Sequence, residues 1–331
     1  MDTYTFHDAL AGTLVTCGFP GLATTVSADS EAVETCERVF FPGCSFLNYG
    51  LPLVQSVYDT LLQGQVVDGI SLLCCGKILS YEPDGATVRA NFEEQLRSRC
   101  VEMGVKKLVC ACPNCVKAIR DAFAGDSRTA EIQIAVLPLE LMKLGYKVDA
   151  QTAADIFSRS EAEALWYAGE IDTTEAFEEA IANAPAPVFA VHDSCPDRET
   201  GEFADGIRGI MPEGLAVDPK HCRKKSVCCG SLPRAAGKYE AADKSANLNG
   251  TEALEANANA IVTPCVSCCF QLNTAQKHVR AYHYLELLYG WAIDWRTADQ
   301  YMKLRFLFDG SLGVDQDSSR KFKGLAEPEG E

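Results

Sequence analysis

Ten cysteines of this sequence fall into two sets of five that share one order: a single cysteine, a vicinal Cys-Cys pair and a C-x-x-C motif. The first set is Cys44, Cys74, Cys75, Cys112 and Cys115, and the second is Cys195, Cys228, Cys229, Cys265 and Cys268. Corresponding cysteines lie 151 to 154 residues apart, a nearly constant offset that indicates a tandem duplication. A lone C-x-x-C is a weak signal, but two complete sets at matched spacing are not expected by chance.

Thiolates are soft ligands, and soft ligands select zinc, copper(I) or iron–sulfur centres. A structural zinc ion takes four ligands and a cubane iron–sulfur cluster takes one thiolate per iron, so five thiolates exceed both requirements. Either one cysteine of each set is a bystander, or each site holds a more open iron–sulfur cluster in which neighbouring cysteines reach different irons. The vicinal pairs favour the second interpretation, because adjacent side chains diverge. Gly76 and Gly230, directly after the pairs, would let the backbone turn closely around a bulky cluster.

The compartment decides whether so many cysteines are ligands or disulfides. The chain has 16 cysteines in 331 residues, and its N-terminus places Asp2 and Asp8 where a signal peptide needs positive charge. No window approaches the roughly 18 apolar residues that a membrane-spanning helix needs. We therefore expect a cytoplasmic protein without a membrane span, whose thiols stay reduced. The formal net charge of -16 also predicts that nucleic acids and anionic membrane surfaces are repelled.

The elements that must position these cysteines alternate between short apolar runs and longer stretches of helical period. The predicted strands are Val39 to Phe41, Leu108 to Cys110, Ile132 to Val136, Val188 to Val191 and Ile261 to Thr263. The predicted helices include Leu51 to Leu62, Thr87 to Met103 and Lys238 to Asn257, and helix-like segments follow both C-x-x-C motifs. Strand, helix, strand predicts a parallel sheet, with the cysteines beyond the carboxyl ends of its strands. Helix N-termini there would offset the negative charge of a thiolate site.

The repeat divides the chain into five segments. We expect an N-terminal extension at 1–37, a first cluster-binding domain at 38–148, a helical connector at 149–187, a second cluster-binding domain at 188–294 and a C-terminal tail at 295–331. The extension has no counterpart in the second block. The connector is acidic and rich in alanine, which predicts one or two helices, whereas the polar tail is expected to be disordered.

The double cysteine pattern, over about Arg38 to Trp291, resembles the duplicated CCG domain of the disulfide-reducing polypeptide of heterodisulfide reductase and its relatives, which include components of lactate, glycolate and glycerol-3-phosphate oxidation systems. The resemblance implies an α/β fold of two pseudo-two-fold related, Rossmann-like halves with short parallel sheets and cluster sites near the domain interface. It implies two 4Fe-4S clusters of non-cubane form, each held by all five cysteines of one set. The 29 residues between Cys44 and Cys74 are slightly fewer than the family has. The first site could therefore differ from the second in its geometry or in its metal. Zinc in one site is the alternative.

The resemblance also implies a function. The reductase splits a disulfide lodged between its two clusters, so we expect an iron–sulfur oxidoreductase subunit that reduces a small disulfide or thiol-type substrate, with no catalytic side chain assigned. The chain lacks the CxxCxxCxxxCP ferredoxin segments of many relatives, so electrons must come from a flavoprotein or ferredoxin-type partner. Two alternatives stay open. One is a subunit that relays electrons between a flavoprotein dehydrogenase and a quinone or ferredoxin partner, without a substrate of its own, and the other is a zinc-stabilised scaffold.

The remaining cysteines and histidines carry a weaker signal. We interpret four of them as small buried hydrophobic residues: Cys17, Cys36, Cys100 and Cys222. Two others lie next to predicted ligands, Cys110 and Cys269. For these we prefer ordinary packing to a supporting role at a metal site. His192, His221 and His283 could lie near a cluster, but nothing in the sequence pairs them with a catalytic partner, so a structural role is preferred. The basic run Arg223-Lys224-Lys225 could attract an anionic substrate or an acidic partner, and a solvated loop is the simpler interpretation.

Overall fold

The computed structural model describes residues 2–19, 24–77 and 85–295, which form a mixed α/β fold with two sheets. The predicted C-terminal tail falls outside the described residues apart from Trp295. Within the described ranges, no helix is both long and apolar enough to cross a membrane.

The first sheet has seven strands in the order β3-β2-β1-β5-β4-β6-β7. Its strands are β1 Asp2–Asp8, β2 Thr13–Phe19, β3 Thr24–Ala28, β4 Arg38–Phe41, β5 Gly69–Ile70, β6 Lys107–Cys110 and β7 Gln133–Val136. Neighbouring strands in the segment β5-β4-β6-β7 are parallel. Strand β1 pairs with β5, also in parallel, through Asp8 and Ile70. The strands β1, β2 and β3 pair with one another antiparallel.

The second sheet repeats the parallel part of the first. Its strands are β8 Phe189–Val191, β9 Ala216–Val217, β10 Ala260–Thr263 and β11 Arg280–His283. They pair in parallel in the order β11-β10-β8-β9, which matches β7-β6-β4-β5 strand for strand. The two halves therefore share one topology, as the duplication of the cysteine sets predicts.

Twelve helices of the described residues flank the two sheets. In the first half they are α1 Cys44–Tyr49, α2 Leu51–Gln63, α3 Gly85–Glu102, α4 Pro113–Phe123 and α5 Leu137–Lys143. The connector forms α6 Ala150–Ala168 and α7 Thr174–Asn183. In the second half they are α8 Glu202–Ile210, α9 Ser231–Ala235, α10 Tyr239–Glu255, α11 Val266–Ala275 and α12 Tyr284–Tyr289. The predicted strands and helices are thus confirmed, with ends that differ by one or two residues.

Two helix boundaries differ from the prediction in a way that matters for the cysteines. The sequence suggested that both cysteines of the C-x-x-C motif at Cys112 precede a helix, but α4 begins at Pro113, so that Cys112 is its N-cap and Cys115 lies in its first turn. Proline at the first helical position loses no hydrogen bond and already has helical φ, which explains the early start. In the second half, Cys265 caps α11 and Cys268 lies in its first turn in the same way.

The N-terminal strands are fixed to the first sheet next to the vicinal cysteine pair. Asp8 is 2% exposed, and its carboxylate accepts hydrogen bonds from the backbone N–H groups of Leu10, Ala11 and Leu72 at 3.0, 2.9 and 2.8 Å. Leu72 lies two residues before Cys74, so this carboxylate ties the N-terminal hairpin to the loop that carries the first cysteine pair. Burial raises the pKa of Asp8.

The two halves share a hydrophobic core. The largest cluster of buried side chains contains Phe40 and Val109 from the first sheet together with Phe189 and Val262 from the second. Side chains of α1 and α11 also meet across the halves, where the rings of Tyr49 and Phe270 stack at 5.7 Å. Separation of the halves would expose this shared apolar surface to water, so we infer that they form one folding unit.

Candidate metal centre

The first five cysteines converge at the carboxyl ends of the parallel strands. Cys44 begins α1 directly after β4, the vicinal pair follows β5, and the C-x-x-C motif follows β6. The sulfur atoms of Cys75 and Cys115 are 3.3 Å apart. Hydrogen bonds from Cys115 and Cys74 lower the pKa of Cys75 to about 6, and the nearby charges of Cys44 and Cys112 oppose that shift. All five thiols are therefore close enough to influence one another.

The second set converges in the same way. Cys195 begins a short 3-10 helix, Cys195–Asp197, after β8, and the vicinal pair lies directly before α9. Hydrogen bonds from Cys195 and Cys229 hold the pKa of Cys228 far below its usual value. Cys229 in turn contacts Cys268, which contacts Cys265. The structure thus brings together each set of five that the sequence predicted.

Backbone N–H groups point at several of these sulfur atoms, as an anionic site requires. Gly76 donates to Cys74, and Gly230 and Ser231 donate to Cys228 and Cys229, each at 3.4 Å from N to Sγ. The N-termini of α4 and α11 also face the sites, and the positive ends of these helices favour thiolate over thiol. The residues present therefore fit a bound soft metal or iron–sulfur cluster in donor type and in charge.

Glycine is required at three positions around the sites. Gly43, Gly76 and Gly230 all have positive φ, at 84°, 71° and 100°. A Cβ on Gly43 would lie 3.1 Å from the sulfur of Cys115, so glycine there leaves room for the first site. The glycines after the vicinal pairs serve packing as well as the turn that the sequence suggested, since a Cβ on Gly76 would press on Phe92 at 3.1 Å.

The two sites meet at cysteines of their C-x-x-C motifs. The thiols of Cys115 and Cys265 hydrogen-bond to Cys112 and lower its pKa well below the usual value, which joins the first site to the second. Next to this contact, the Asn114 side-chain N–H group donates to the sulfur of Cys265 at 3.9 Å. The hydroxyl groups of Ser45 and Ser267 are hydrogen-bonded at 2.9 Å, again across the halves. The sites lie at the interface between the halves, as expected.

His192 lies against the second site. It is 4% exposed, and one of its ring nitrogens lies within 4.8 Å of the sulfur atoms of Cys229 and Cys268, which are themselves within that distance of each other. Among the described residues this is the only group of three or more potential metal ligands so close together. The sequence alone predicts a structural role for His192, because nothing there pairs it with a partner. The signal available was the mismatch between His192-Asp193-Ser194-Cys195 and Phe41-Pro42-Gly43-Cys44 at equivalent positions.

The other two candidate histidines have structural partners. The backbone N–H group and the ring Nδ1 of His221 both contact the carboxylate of Glu252. His283 is the N-cap of α12 and accepts a hydrogen bond from the Leu285 N–H group, and burial lowers its pKa to about 4. Among the described residues neither histidine is grouped with clustered thiols as a potential metal ligand, although the charge of Cys112 acts on His283.

The six remaining cysteines are not part of either set of five. Cys17, Cys36, Cys100, Cys110 and Cys269 are buried, and burial raises the pKa of Cys100 to about 12. Cys222 is half-buried and lines a cavity of about 480 Å³ beside the basic run Arg223 to Lys225. None of the sixteen cysteines, all of which lie in the described part of the chain, forms a disulfide.

Comparison with known proteins identifies a family for this chain. Curated proteins contain no match to this chain. The family model of the cysteine-rich domain named CCG matches twice, at residues 38–120 and 189–273, and each match contains one complete set of five cysteines. Because these two matches together cover just over half of the chain, the protein belongs to the CCG cysteine-rich domain family, whose domains indicate metal binding and redox-related work.

Proposed function

We propose that this chain is an iron–sulfur oxidoreductase subunit that reduces a small disulfide or thiol-type substrate, as its resemblance to the disulfide-reducing polypeptide of heterodisulfide reductase implies. One observation supports the proposal most: ten thiols from two repeated halves form two groups of five that touch at Cys112 and Cys265. A scaffold stabilised by zinc needs only four thiolates per ion and no contact between its sites. Two adjacent redox centres, by contrast, can divide a two-electron reaction between them.

In this proposal each set of five cysteines holds one 4Fe-4S cluster, and a bound cluster supplies one electron at a time. The protein side chains and backbone fix the thiolates and offset their charge. Gly76, Gly230 and Ser231 do so through backbone N–H groups, and Asn114 does so across the interface. Six of the ten clustered cysteines are buried, which would also limit access of water to the sites.

The reaction needs a second protein. Splitting a disulfide consumes two electrons and two protons and yields two thiols. We propose that a reduced flavoprotein or ferredoxin-type partner gives the electrons and that solvent gives the protons. The contact between Cys112 and Cys265 also favours a second candidate function, in which electrons cross the interface from one partner protein to another and no small substrate is bound.

The experiment that separates these candidates follows electrons and thiols together. Protein purified without oxygen is reduced with dithionite, freed of excess reductant and mixed with a panel of small disulfides. The proposal predicts two thiols released for every two electrons lost by the protein. Reoxidation by a quinone or a ferredoxin, with no thiol released from any disulfide, would support the relay instead.

Matched cysteine variants connect the result to the sites. Cys75→Ala removes a thiol that contacts Cys115, and it should lower bound iron and abolish thiol release. Cys100→Ala removes another buried thiol of the same apolar cluster that belongs to neither set of five, and it should leave both unchanged. Equal iron and equal activity in the two variants would contradict the assignment of Cys75 to a cluster.

A further inference from the structure

One buried atom beside the second site has no explanation in the fold. The Nε2 atom of His192 is shielded from solvent and has no hydrogen-bond partner among the described residues. Buried polar atoms are usually satisfied, and of the eight buried side-chain atoms without a partner among the described residues, this one belongs to the side chain that is grouped with two thiols. The sulfur atoms of Cys229 and Cys268 lie within 4.8 Å of a ring nitrogen of His192 and of each other.

The other ring nitrogen fixes the tautomer. The Nδ1 atom of His192 lies 2.7 Å from the side-chain oxygen of Asn249. The amide nitrogen of Asn249 donates to the backbone carbonyls of Cys228 and Ser245 at 3.2 and 2.8 Å, which leaves its oxygen as the acceptor facing the ring. Nδ1 therefore carries the hydrogen, and in the neutral ring Nε2 presents its lone pair. Metal-binding histidines are held by this kind of hydrogen bond on the opposite nitrogen.

We propose that Nε2 of His192 is a metal ligand of the second site, next to Cys229 and Cys268. The proposal rests on the proposed function only in requiring that the site holds a metal. Metal–nitrogen and metal–sulfur bonds of about 2.0–2.1 and 2.3 Å place the ligand atoms roughly 3.5–4 Å apart, so side-chain shifts of about 1 Å bring all three onto one metal. The ligand set is then five thiolates and one imidazole.

The two sites differ in this ligand. The residue three positions before the first cysteine of each set is His192 in the second half and Phe41 in the first, where the ring is fully buried. A phenyl ring cannot bind a metal through a lone pair. The first site consequently has thiolates alone, and the duplicated sites hold chemically different centres.

The test detects nitrogen bound to metal rather than activity. For iron, reduced protein purified without oxygen is examined by pulsed electron paramagnetic resonance for the coupling of a directly bound imidazole nitrogen. For zinc, X-ray absorption at the zinc edge is fitted for a nitrogen scatterer at about 2.0–2.1 Å. Protein that holds neither metal is supplied with one equivalent of zinc and measured at the same edge.

Three variants give the test its controls. His192→Gln should lose the nitrogen signal, and His192→Cys, which restores a soft ligand, should keep the metal but lose the nitrogen. His221→Gln should keep both, since the His221 ring contacts Glu252 and is not grouped with the thiols as a potential metal ligand. Wild-type protein with bound metal and no coordinated nitrogen would overturn the inference. Nitrogen-bound zinc without iron would leave the inference standing while the proposed redox function failed.

Discussion

Asn114 is a side chain of the first half that, like Cys112, contacts a cysteine of the second site. It lies between the two cysteines of the first C-x-x-C motif, and its N–H group donates to Cys265 of the second set. Hydrogen bonds to cluster sulfurs stabilise the more negative, reduced state and raise the reduction potential. Its equivalent in the second half is Ser267, which bonds to Ser45 instead.

Replacing Asn114 should therefore change the reduction potential of the second site and leave that of the first site unchanged. We expect Asn114→Ala to lower the reduction potential of the second site by roughly 20–60 mV, the equivalent of one hydrogen bond of about 1 kcal/mol. A redox titration followed by electron paramagnetic resonance measures both sites in one sample. An unchanged pair of potentials would show that the long Asn114 contact has no effect on the site.

At the residue scale the sequence was sufficient for the cysteines and insufficient for His192. Ten thiols could be assigned as ligands because the same pattern of five cysteines occurs twice in the sequence, which is not expected by chance. A single histidine has no such repetition. Its assignment depends on Asn249, 57 positions away along the chain, and on the distance to Cys229 and Cys268, which only the folded chain defines.

Among the elements, α9 and α10 are held together by the glycine that follows the second cysteine pair. Gly230 has a φ of 100°, and a Cβ there would overlap the backbone carbonyl of Ala242 in α10. Gly237, six residues from α9's first residue, has a φ of 75° but no atom within 4 Å of an added Cβ. An alanine at Gly237 would therefore cause backbone strain alone, whereas an alanine at Gly230 would cause both backbone strain and a steric clash.

Alanine at these positions should accordingly have unequal effects. Gly237→Ala should lower the free energy of unfolding by about 1 kcal/mol, the cost of a left-handed backbone. Gly230→Ala should lower it by more than about 3 kcal/mol and reduce metal bound at the second site, because the backbone that donates to Cys228 must shift. Denaturant unfolding and metal content measure both effects. Equal losses of stability would mean that the contact with α10 is easily relaxed.

The helices α5 and α12 end the two repeats with equivalent glutamates in opposite surroundings. Burial raises the pKa of Glu286 to about 7, and its carboxylate accepts hydrogen bonds from the backbone N–H groups of His283 and Ile293. Burial also acts on Glu140, but ion pairs with Lys107 and Lys143 outweigh it and lower the pKa of Glu140. The position of Lys107 in β6 is occupied by Ala260 in β10, so Glu286 has no equivalent lysine.

These pKa shifts predict a pH dependence with opposite signs. A raised folded pKa means that the contribution of Glu286 to stability is complete below about pH 4.5 and is lost as the pH rises towards about 7. The stability of the wild type relative to Glu286→Gln should fall by about 2 to 3 kcal/mol from pH 5 to pH 8. The contribution of Glu140 is present above its ordinary pKa and is lost as the pH falls.

The matched control is Glu140→Gln. Its stability relative to the wild type should stay constant from pH 5 to pH 8, because Glu140 titrates below that range. Urea unfolding of the three proteins at both pH values gives the comparison. A constant difference for Glu286→Gln as well would contradict a protonated Glu286 in the fold.

Element type could be predicted from the sequence in α2, whose apolar residues follow the helical period, and in β4 and β6, which are short apolar runs. The addition of β1 to the first sheet could not, since it depends on one parallel pairing of Asp8 with Ile70, far away along the chain. The two-residue strands β5 and β9 were missed because they are too short to show alternation. The start of α4 at Pro113 was missed although proline at this position is a helix-start signal.

For the molecule as a whole, the contact between α5 and α8 connects the halves. Gly206 in α8 faces Pro138, and a Cβ on this glycine would lie 2.7 Å from the Cβ of the proline. Gly209, one turn along, faces the flexible end of Met142, whose side chain is 37% exposed. At the interface between α5 and α8, Gly206 thus faces the rigid ring of Pro138, whereas Gly209 faces the flexible side chain of Met142.

Two alanine variants test whether the halves form one folding unit. Gly206→Ala should lower the free energy of unfolding by about 1–3 kcal/mol, because the proline ring cannot move aside. Gly209→Ala should change it by less than about 1 kcal/mol, since Met142 can adopt another rotamer and alanine favours the helix. Both should unfold in one transition. A first transition that releases only one half would contradict the shared core.

The central claim is that the ten clustered thiols hold two iron–sulfur clusters. The most direct measurement is iron, acid-labile sulfide and zinc per chain on protein purified without oxygen, together with its electron paramagnetic resonance spectrum. The account predicts about eight iron and eight sulfide per chain, with a spectrum from two centres. About two zinc ions with little iron would contradict it and leave a zinc-stabilised scaffold, whereas about four iron and one zinc would restrict the cluster to one half.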